Sequence, residues 1–525
     1  MVATDAPAPA RQGTSARAPR EATSGRPFVH RFRASDGQAY VYDGNTGHIL
    51  RVNDIVFDAL GLIGTRDDGA VAAALGQRYP QTQVNQALRS IRRSQKQHGV
   101  FSSERPRAIR FWHRKATLRR LLERELGQLI LEVTQDCNLR CSYCAFTDFF
   151  GPRRKHSPQV MSMEIAHKAI DYLMSHSADR QRVTISFYGG EPLLNFDLIR
   201  DCIEYAERTV SGAKLLMLLM TSNGTALSSE RAAFLAAHSV RIMVSIDGPA
   251  AMHDRYRPFT GGRGSFNAIA KNLLRLREMA PEYYESCITF NVVLAPPYDM
   301  EKVLEFINSG EIIGPKQGVR MTYASGRDTT FYSRFTEDEL AADGGRAGMW
   351  QRYESAAVCG QFNGEPAPEH RALHALFNQG LAGVYLRTLS RRMPRYYHPG
   401  GICVPGVRRL FTTVDGRFFV CEKGNTTTET LQIGDVDSGV DVDRVWEMIR
   451  TYGALTAVDC RNCWANRLCN NCFVLAERGG RFDKQDKQMS CAIIRSQVHT
   501  NMVRMCDILS KNPQGLKFMD DMTFT

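Results

Sequence analysis

The chain has 525 residues, 43% hydrophobic and 23% charged, and its 67 Lys and Arg against 55 Asp and Glu leave a net charge of +12. At roughly 100–200 residues per domain this length makes about three or four folding units, each able to bury a core, and the apolar fraction excludes a wholly disordered chain. The longest apolar runs, such as LLMLLM at 215–220, fall far short of the ~20 residues that span a bilayer, so no membrane helix is expected.

Residues 1–26 are rich in Ala, Pro, Ser and Arg and lack the apolar stretch of an export signal. They read as a disordered tail on a cytoplasmic protein. Three short alternating segments follow, 28–34, 39–43 and 47–52, with turn residues at 43–47, and read as strands. Helices are predicted at 53–62, 67–77 and 82–99, the last with Val84, Leu88 and Ile91 at helical spacing. Three strands and then helices resemble a small winged-helix unit over 27–105. The stretch Arg89 to Arg120 holds eleven Lys or Arg and one acid, Glu104. It reads as a solvated face or as a docking surface for an acidic partner. Nucleic acid is disfavoured because only Phe101, Phe111 and Trp112 stand among the bases. A basic linker helix is expected over 106–127.

From 128 to 329 strand and helix alternate. Strands are predicted at 128–134, 183–187, 215–221, 240–246, 287–294 and 318–323, and helices at 161–176, 196–209, 228–238, 264–279 and 299–308. Such alternation makes an α/β fold with a parallel sheet, a barrel or an open sheet, whose chemistry sits in loops at the C-terminal ends of the strands. Residues 330–399 lose the rhythm and read as a helical bridge, with helices near 337–359 and 369–392. A cysteine-rich unit spans 400–495, and 496–525 reads as a helical tail.

Fourteen cysteines are too many to be incidental. With no export signal they are expected to stay reduced, and clustered reduced thiols read as metal ligands. Cys137, Cys141 and Cys144 form a C-x3-C-x2-C run directly after a strand. Three thiolates so close can take three corners of an iron–sulfur cube and leave one iron open. A structural zinc site would want four ligands, and His156 lies too far along the chain to complete one obviously. A second group comprises Cys403, Cys421, Cys460, Cys463, Cys469, Cys472 and Cys491. Its CxxC pairs signal metal, and seven thiols can serve one zinc or two clusters.

CNLRCSYC at 137–144 resembles the signature of the radical S-adenosylmethionine (radical SAM) superfamily, including the aromatic Tyr143 before the last cysteine. Later strand ends agree in order: Gly189-Gly190-Glu191-Pro192, Ser222-Asn223, and Ser245 in a Ser-Ile-Asp-Gly-Pro segment. The resemblance implies a partial (β/α)6 TIM-like barrel in which Cys137, Cys141 and Cys144 hold a 4Fe-4S cluster and SAM chelates the open iron. Tyr143 belongs to this cofactor-binding set. Gly189 to Pro192 would bind the SAM amino group, and Ser222 and Asn223 its ribose and methionine part. Ser245 and Arg257 would meet its carboxylate. One electron to SAM then breaks a C–S bond, and the resulting 5′-deoxyadenosyl radical takes a hydrogen from the substrate.

The second cysteine group is similar to the SPASM extension of radical SAM enzymes, which holds two auxiliary 4Fe-4S clusters. It departs from that pattern in having two residues, not three, between Cys469 and Cys472. By the family pattern Cys460, Cys463, Cys469 and Cys491 ligate the distal cluster, and Cys403, Cys421 and Cys472 the nearer one, which is left one ligand short. Glu422 stands where sulfatase-maturating relatives carry an acidic base; an exposed turn glutamate is the competing view. The front unit, through Tyr40 to Asp54, is similar to the precursor-recognition element of maturases of ribosomally made peptides (RiPPs). The implied activity is crosslinking of a precursor peptide bound through its leader, foremost a thioether from a Cys sulfur to Cα or Cβ. Alternatives are a carbon–carbon or other crosslink, epimerisation, and formylglycine formation in a sulfatase. A zinc-ribbon protein binding nucleic acid would leave CNLRCSYC and GGEP unexplained. The expected partners are the precursor and an electron donor such as flavodoxin or ferredoxin.

Overall fold

The computed structural model describes residues 25–210, 212, 214–341, 345–363, 367, 370–399 and 403–522. Nearly all of the expected tail 1–26 therefore lies outside the described residues.

The chain opens with an antiparallel meander, β1 (Val29–Arg33), β2 (Ala39–Asp43) and β3 (Ile49–Arg51), followed by α1 (Asp54–Leu62), α2 (Asp68–Gly76) and α3 (Gln81–His98). Asn53 and Asp67 cap α1 and α2 by accepting the amide hydrogens of Val56 and Ala70. Every residue of β2 is buried. Val41 packs into a local core with Ile55, Leu60, Leu75, Leu88 and Ile91, while Phe32, Tyr40 and Tyr42 belong to the main core of the molecule. Successive strand residues point to opposite faces, so this sheet is covered on both.

Between this unit and the central sheet lie β4 (Ala108–Ile109) and α4 (Lys115–Arg124). Only the second half of the expected linker helix is thus helical. The first half pairs as a parallel strand with β11 (Tyr396–Tyr397). The basic stretch is partly tied down within the molecule: Arg92 pairs with Asp68, Arg105 lies over the Phe28 ring, Arg110 over Tyr396, and Arg120 meets Asp179.

The central unit runs β5 (Gln128–Thr134), α5 (Met163–Ser175), β6 (Arg182–Gly189), α6 (Phe196–Thr209), β7 (Leu215–Ser222), α7 (Ser229–Ala237), β8 (Arg241–Ser245), α8 (Ala250–Tyr256), α9 (Phe266–Met279), α10 (Pro281–Cys287), β9 (Ile288–Leu294), α11 (Met300–Asn308) and β10 (Val319–Tyr323). The six strands β5 to β10 are parallel and lie in sequence order. Ser162, Ser228 and Asp299 cap α5, α7 and α11. α6 shows how the layers close: Phe196, Ile199, Cys202, Ile203 and Ala206 form one buried stripe at helical spacing, with Cys202 acting as a small apolar residue.

The bridge holds α12 (Glu337–Ala341), α13 (Arg346–Val358) and α14 (Arg371–Tyr385). α14 ends seven residues before the expected 392. β12 (Leu410–Thr412), β13 (Arg417–Phe419), β14 (Gln432–Asp435) and β15 (Gly439–Val440) then continue the central sheet from its β5 edge into ten strands. α15 (Val442–Ala454), α16 (Ala457–Asn462) and the hairpin β16 (Glu477–Arg478) and β17 (Arg481–Phe482) lead into α17 (Lys484–Lys511). This one helix runs across the expected boundary at 495, so the tail and the cysteine-rich segment share an element. Its Asp483 cap starts it before Cys491.

Candidate functional site

The loops after β5, β6, β7 and β8 meet at one end of the sheet. After β5 the chain turns through Cys137, Cys141 and Cys144, with the Cys144 amide donating to the Cys141 carbonyl at 2.9 Å. The loop is clamped from the other side. Arg140 and Ser142 donate their amides to the carbonyls of Pro258 and Tyr256, and Leu139 bridges Phe259. Burial raises all three thiols, Cys137 to about 12 and Cys141 to about 11. The guanidiniums of Arg257, Arg154 and Arg140 pull Cys144 back down. Glu191 pushes Cys137 further up, whereas Cys141 and Cys144, whose burial is opposed by cations, suit ligands that bind as thiolates.

Gly189 and Gly190 are set by close backbone approach. A Cβ at Gly189, which has φ +139°, would lie 2.0 Å from the Thr134 carbonyl oxygen, and one at Gly190 would lie 1.9 Å from that of Asp136. The amides of Gly190 and Glu191 donate to those two oxygens. Glu191 is 1% exposed, and its carboxylate accepts from the Ser222 hydroxyl (2.7 Å), the Asn223 amide (2.6 Å) and the Leu193 amide (3.1 Å). It therefore joins the β6 and β7 loops, a positioning role that the sequence did not show, and Ser222 serves the same tie. Pro192 opens a buried turn behind it. Asn223 donates its side-chain amide to the side-chain oxygen of Asn138, the residue after Cys137, at 2.9 Å.

Arg257 is the buried cation of the site. Its Nη1 donates to the Tyr143 hydroxyl at 2.8 Å, and that hydroxyl donates to Asp247. The Nε of Arg257 is buried without a hydrogen-bond partner. Asp247 also accepts the Val293 amide at 3.0 Å, and buried His253 links the Asp247 amide to Ser265, whose hydroxyl donates to the Arg257 carbonyl. Ser245 lies buried at the end of β8, in register with Asn291. Asp247 stood in the Ser-Ile-Asp-Gly-Pro segment, but nothing in the sequence singled it out.

Across the sheet from β8, Glu132 of β5 is fully buried, in register with Tyr188 of β6, and pairs with Arg154 Nε at 2.8 Å. Arg154, 8% exposed, lies over the Phe146 ring. Burial raises the Tyr188 hydroxyl, and the charges of Glu422 and Cys421 from one cysteine group and Cys144 from the other act on it as well. No spacing rule pointed to any of these three.

Glu422 is mostly buried, contrary to the exposed-turn reading. Burial opposes its charge, yet the Cys421 thiol, 3.0 Å away, and the Arg409 guanidinium, 3.2 Å away, hold its carboxyl below the usual range. Cys403 is influenced by Cys472, Arg409 and Glu422, which gathers Cys403, Cys421 and Cys472 around that ion pair. The other four thiols, Cys460, Cys463, Cys469 and Cys491, line a cavity of about 510 Å³. Each has a side-chain partner: Thr456 at 3.2 Å from Cys460, Arg495 for Cys463, Tyr397 for Cys469, and Asn471 at 3.3 Å from Cys491. All fourteen cysteines are free thiols. Among the described residues no three His, Cys, Asp or Glu side chains are drawn together as they are around a single metal ion.

Residues 131–309 match the Radical SAM superfamily. This segment is a radical SAM domain. The chain is 29% identical over 161 residues to the cysteine-type anaerobic sulfatase-maturating enzyme of Clostridium novyi (strain NT), covering 30% of this chain and 42% of that protein. It is 27% identical over 195 residues to the radical SAM cyclopropyl synthase TigE of Paramaledivibacter caminithermalis, covering 35% and 39%. It thus spans less than half the length of either relative. Among solved structures, native anSMEcpe with bound AdoMet and the Kp18Cys peptide shares the fold, with a TM-score of 0.52 at 15% identity over 76% of this chain and 99% of that one. A radical SAM domain implies a 4Fe-4S cluster and SAM. The residues present fit both: three thiols in one loop beside three guanidiniums, and a buried Arg257 Nε with its bonding capacity unspent. No described helix is long and apolar enough to cross a membrane.

Proposed function

We propose that this protein is a peptide maturase that installs a crosslink in a ribosomally made precursor bound through its leader, foremost a thioether from a cysteine sulfur to Cα or Cβ of another residue. The observation that carries the reading is the N-terminal unit. It is a three-stranded sheet with its own helices, whose strand β3 has one edge that no described strand pairs, beside a cavity of about 640 Å³ lined by Ile49, Arg51, Leu389 and Met505 among others. A leader would add a strand to β3, taking affinity from main-chain hydrogen bonds and specificity from side chains in the cavity. Residues 27–105 are then the leader reader, 128–329 the radical core and 400–495 the auxiliary-cluster unit.

A 4Fe-4S cluster and SAM, when bound at Cys137, Cys141 and Cys144, supply the radical that removes a substrate hydrogen. The chain's own residues orient and protect. Arg257 would meet the SAM carboxylate through its spare Nε, while Tyr143 and Asp247 fix its plane. Glu191 keeps the β6 and β7 loops together around the ligand. Glu422, held ionised by Arg409, would take a proton from the reacting group of the substrate. If Cys421 becomes a ligand, the carboxylate loses that donor and gains a free acceptor. Two auxiliary clusters, at Cys460, Cys463, Cys469 and Cys491 and at Cys403, Cys421 and Cys472, a flavodoxin or ferredoxin donor, and a cytoplasmic location complete the reading.

Anaerobic co-expression with a short cysteine-bearing reading frame from the same locus, followed by mass spectrometry, tests it. Loss of two hydrogens with no free thiol at the changed residue is the expected result; an unchanged peptide mass overturns maturation of that partner. Formylglycine formation is the second reading, favoured by the resemblance to sulfatase-maturating enzymes and by the acidic residue after Cys421. An aldehyde on a sulfatase-derived peptide, with the precursor untouched, would put it first.

A further inference from the structure

Lys487 lies one helical turn before Cys491 on α17, so the two side chains share a face of the helix. It is 0% exposed. Its ammonium donates to the Tyr452 carbonyl and sits 3.6 Å from the centroid of the Tyr452 ring. Neither partner carries a formal charge. The nearby acid, Asp459, instead accepts from Gln488 at 2.8 Å. An ammonium removed from water without a bonded anion is costly. The groups that favour its charge are Cys460, Cys491 and Cys469, three of the four thiols lining the cavity, and after them Asp459. Burial opposes the ammonium's charge, and thiolates at these cysteines would add to the counter-charge of Asp459.

We propose that Lys487 is the positioning charge that raises the reduction potential of an iron–sulfur cluster held by Cys460, Cys463, Cys469 and Cys491. The inference rests on reading those four thiols as cluster ligands. Taking up one electron adds one negative charge to a cluster that its thiolates already make anionic. A fixed cation in a site shielded from water lowers the cost of that addition. The donors from Thr456, Arg495, Tyr397 and Asn471 act in the same direction, because hydrogen bonds to ligand sulfurs also favour the reduced form. The cluster at Cys460, Cys463, Cys469 and Cys491 is thereby built to accept electrons more readily than it would on its thiolates alone.

The test is a potentiometric titration of the full-length protein, reconstituted anaerobically with iron and sulfide and followed by electron paramagnetic resonance. The signal of this cluster is assigned by its loss in Cys469→Ala. In Lys487→Met and Lys487→Gln the midpoint should move to more negative potential at unchanged iron content, whereas Lys487→Arg should keep the wild-type midpoint. Unchanged midpoints in both neutral variants overturn the role of Lys487 and leave the cluster reading standing. A wild-type protein with no signal sensitive to Cys469→Ala overturns the cluster reading and the inference with it. Loss of iron from both neutral variants, with Lys487→Arg fully loaded, replaces potential tuning by a role in assembly and so overturns it too.

Discussion

The two cysteine groups are assembled by different routes. Cys137, Cys141 and Cys144 sit on eight consecutive residues, and the neighbouring loops hold them in place: Tyr256 to Phe259 brace the turn and Gly189 and Gly190 let the β6 end press against it. Cys460, Cys463, Cys469 and Cys491 come from α16, two turns and α17, and each sulfur has its own side-chain partner around a cavity. A local group is legible as a spacing and depends on backbone fit. A dispersed group depends on polar side chains that are, apart from Thr456, distant in sequence, and no spacing reports them.

The largest expected effect separates the groups outright. Cys141→Ala should abolish formation of 5′-deoxyadenosine from SAM, while Cys469→Ala should leave SAM cleavage without peptide measurable and abolish only peptide modification. Chromatography of nucleoside and peptide products checks this, and loss of SAM cleavage in both variants would erase the distinction. Next, Gly190→Ala tests backbone fit. Its Cβ would meet the Asp136 carbonyl, main chain that cannot step aside, so the variant should lose about 3 kcal/mol of stability and bind SAM poorly. Thermal unfolding together with SAM titration reads both; a wild-type melting point would show that the loops have slack.

Arg257→Gln should weaken SAM binding about tenfold or more, the scale of a lost charge-assisted hydrogen bond, and should also lower the melting point, because the shorter side chain gives up the Tyr143 hydroxyl and leaves buried Asp247 without its cation. Isothermal titration with SAM decides it, and an unchanged affinity would remove Arg257 from the cofactor site. The smallest effect concerns the joint between the N-terminal sheet and the dispersed cysteines. His30 of β1 stacks on Trp464, which follows Cys463, with ring centroids 3.7 Å apart, and shares a hydrogen bond with His499 at 2.9 Å. Burial and the His499 charge lower its pKa from 6.5 to about 4. The unfolded chain takes up this proton near pH 6.5 and the folded chain only near 4. The stabilisation is therefore complete above pH 6.5 and is lost as pH falls from there to 4. After allowance for partial exposure it amounts to about 1–2 kcal/mol. Melting curves from pH 7 to 4.5 should fall less steeply in His30→Gln, and parallel curves would show that the joint carries no proton linkage.

The element boundaries were largely open to sequence reading. The strand expected at 128–134 is β5, the helix expected at 196–209 is α6, and the first meander and its helices agree to within a few residues. Each of these carries its own periodicity and a capping or turn residue. The departures occur where an element depends on a distant partner. Ala108–Ile109 is a strand because Tyr396–Tyr397 pairs with it. β12 to β15 join the central sheet because β5 offers a free edge. The helix through Cys491 crosses an expected boundary because its core contacts, Ile494, Val498, Met502 and Met505, continue past 495. Glu191 shows the same limit within a motif: its position was legible, but its three donors come from the β6 and β7 loops together.

By itself the sequence determined the chemistry available to the protein: three thiols in one strand-end loop, a reduced set of seven more, and a parallel sheet to carry them. Spacing along a chain is a local property, and these features are local. Only the tertiary structure decided which charges face those thiols. Arg154 pairs with Glu132 of β5, Arg257 is left with an unspent donor, and Lys487 is buried one helical turn before Cys491. Electrostatic effects depend on distance through space and on exclusion of water, and folding sets both.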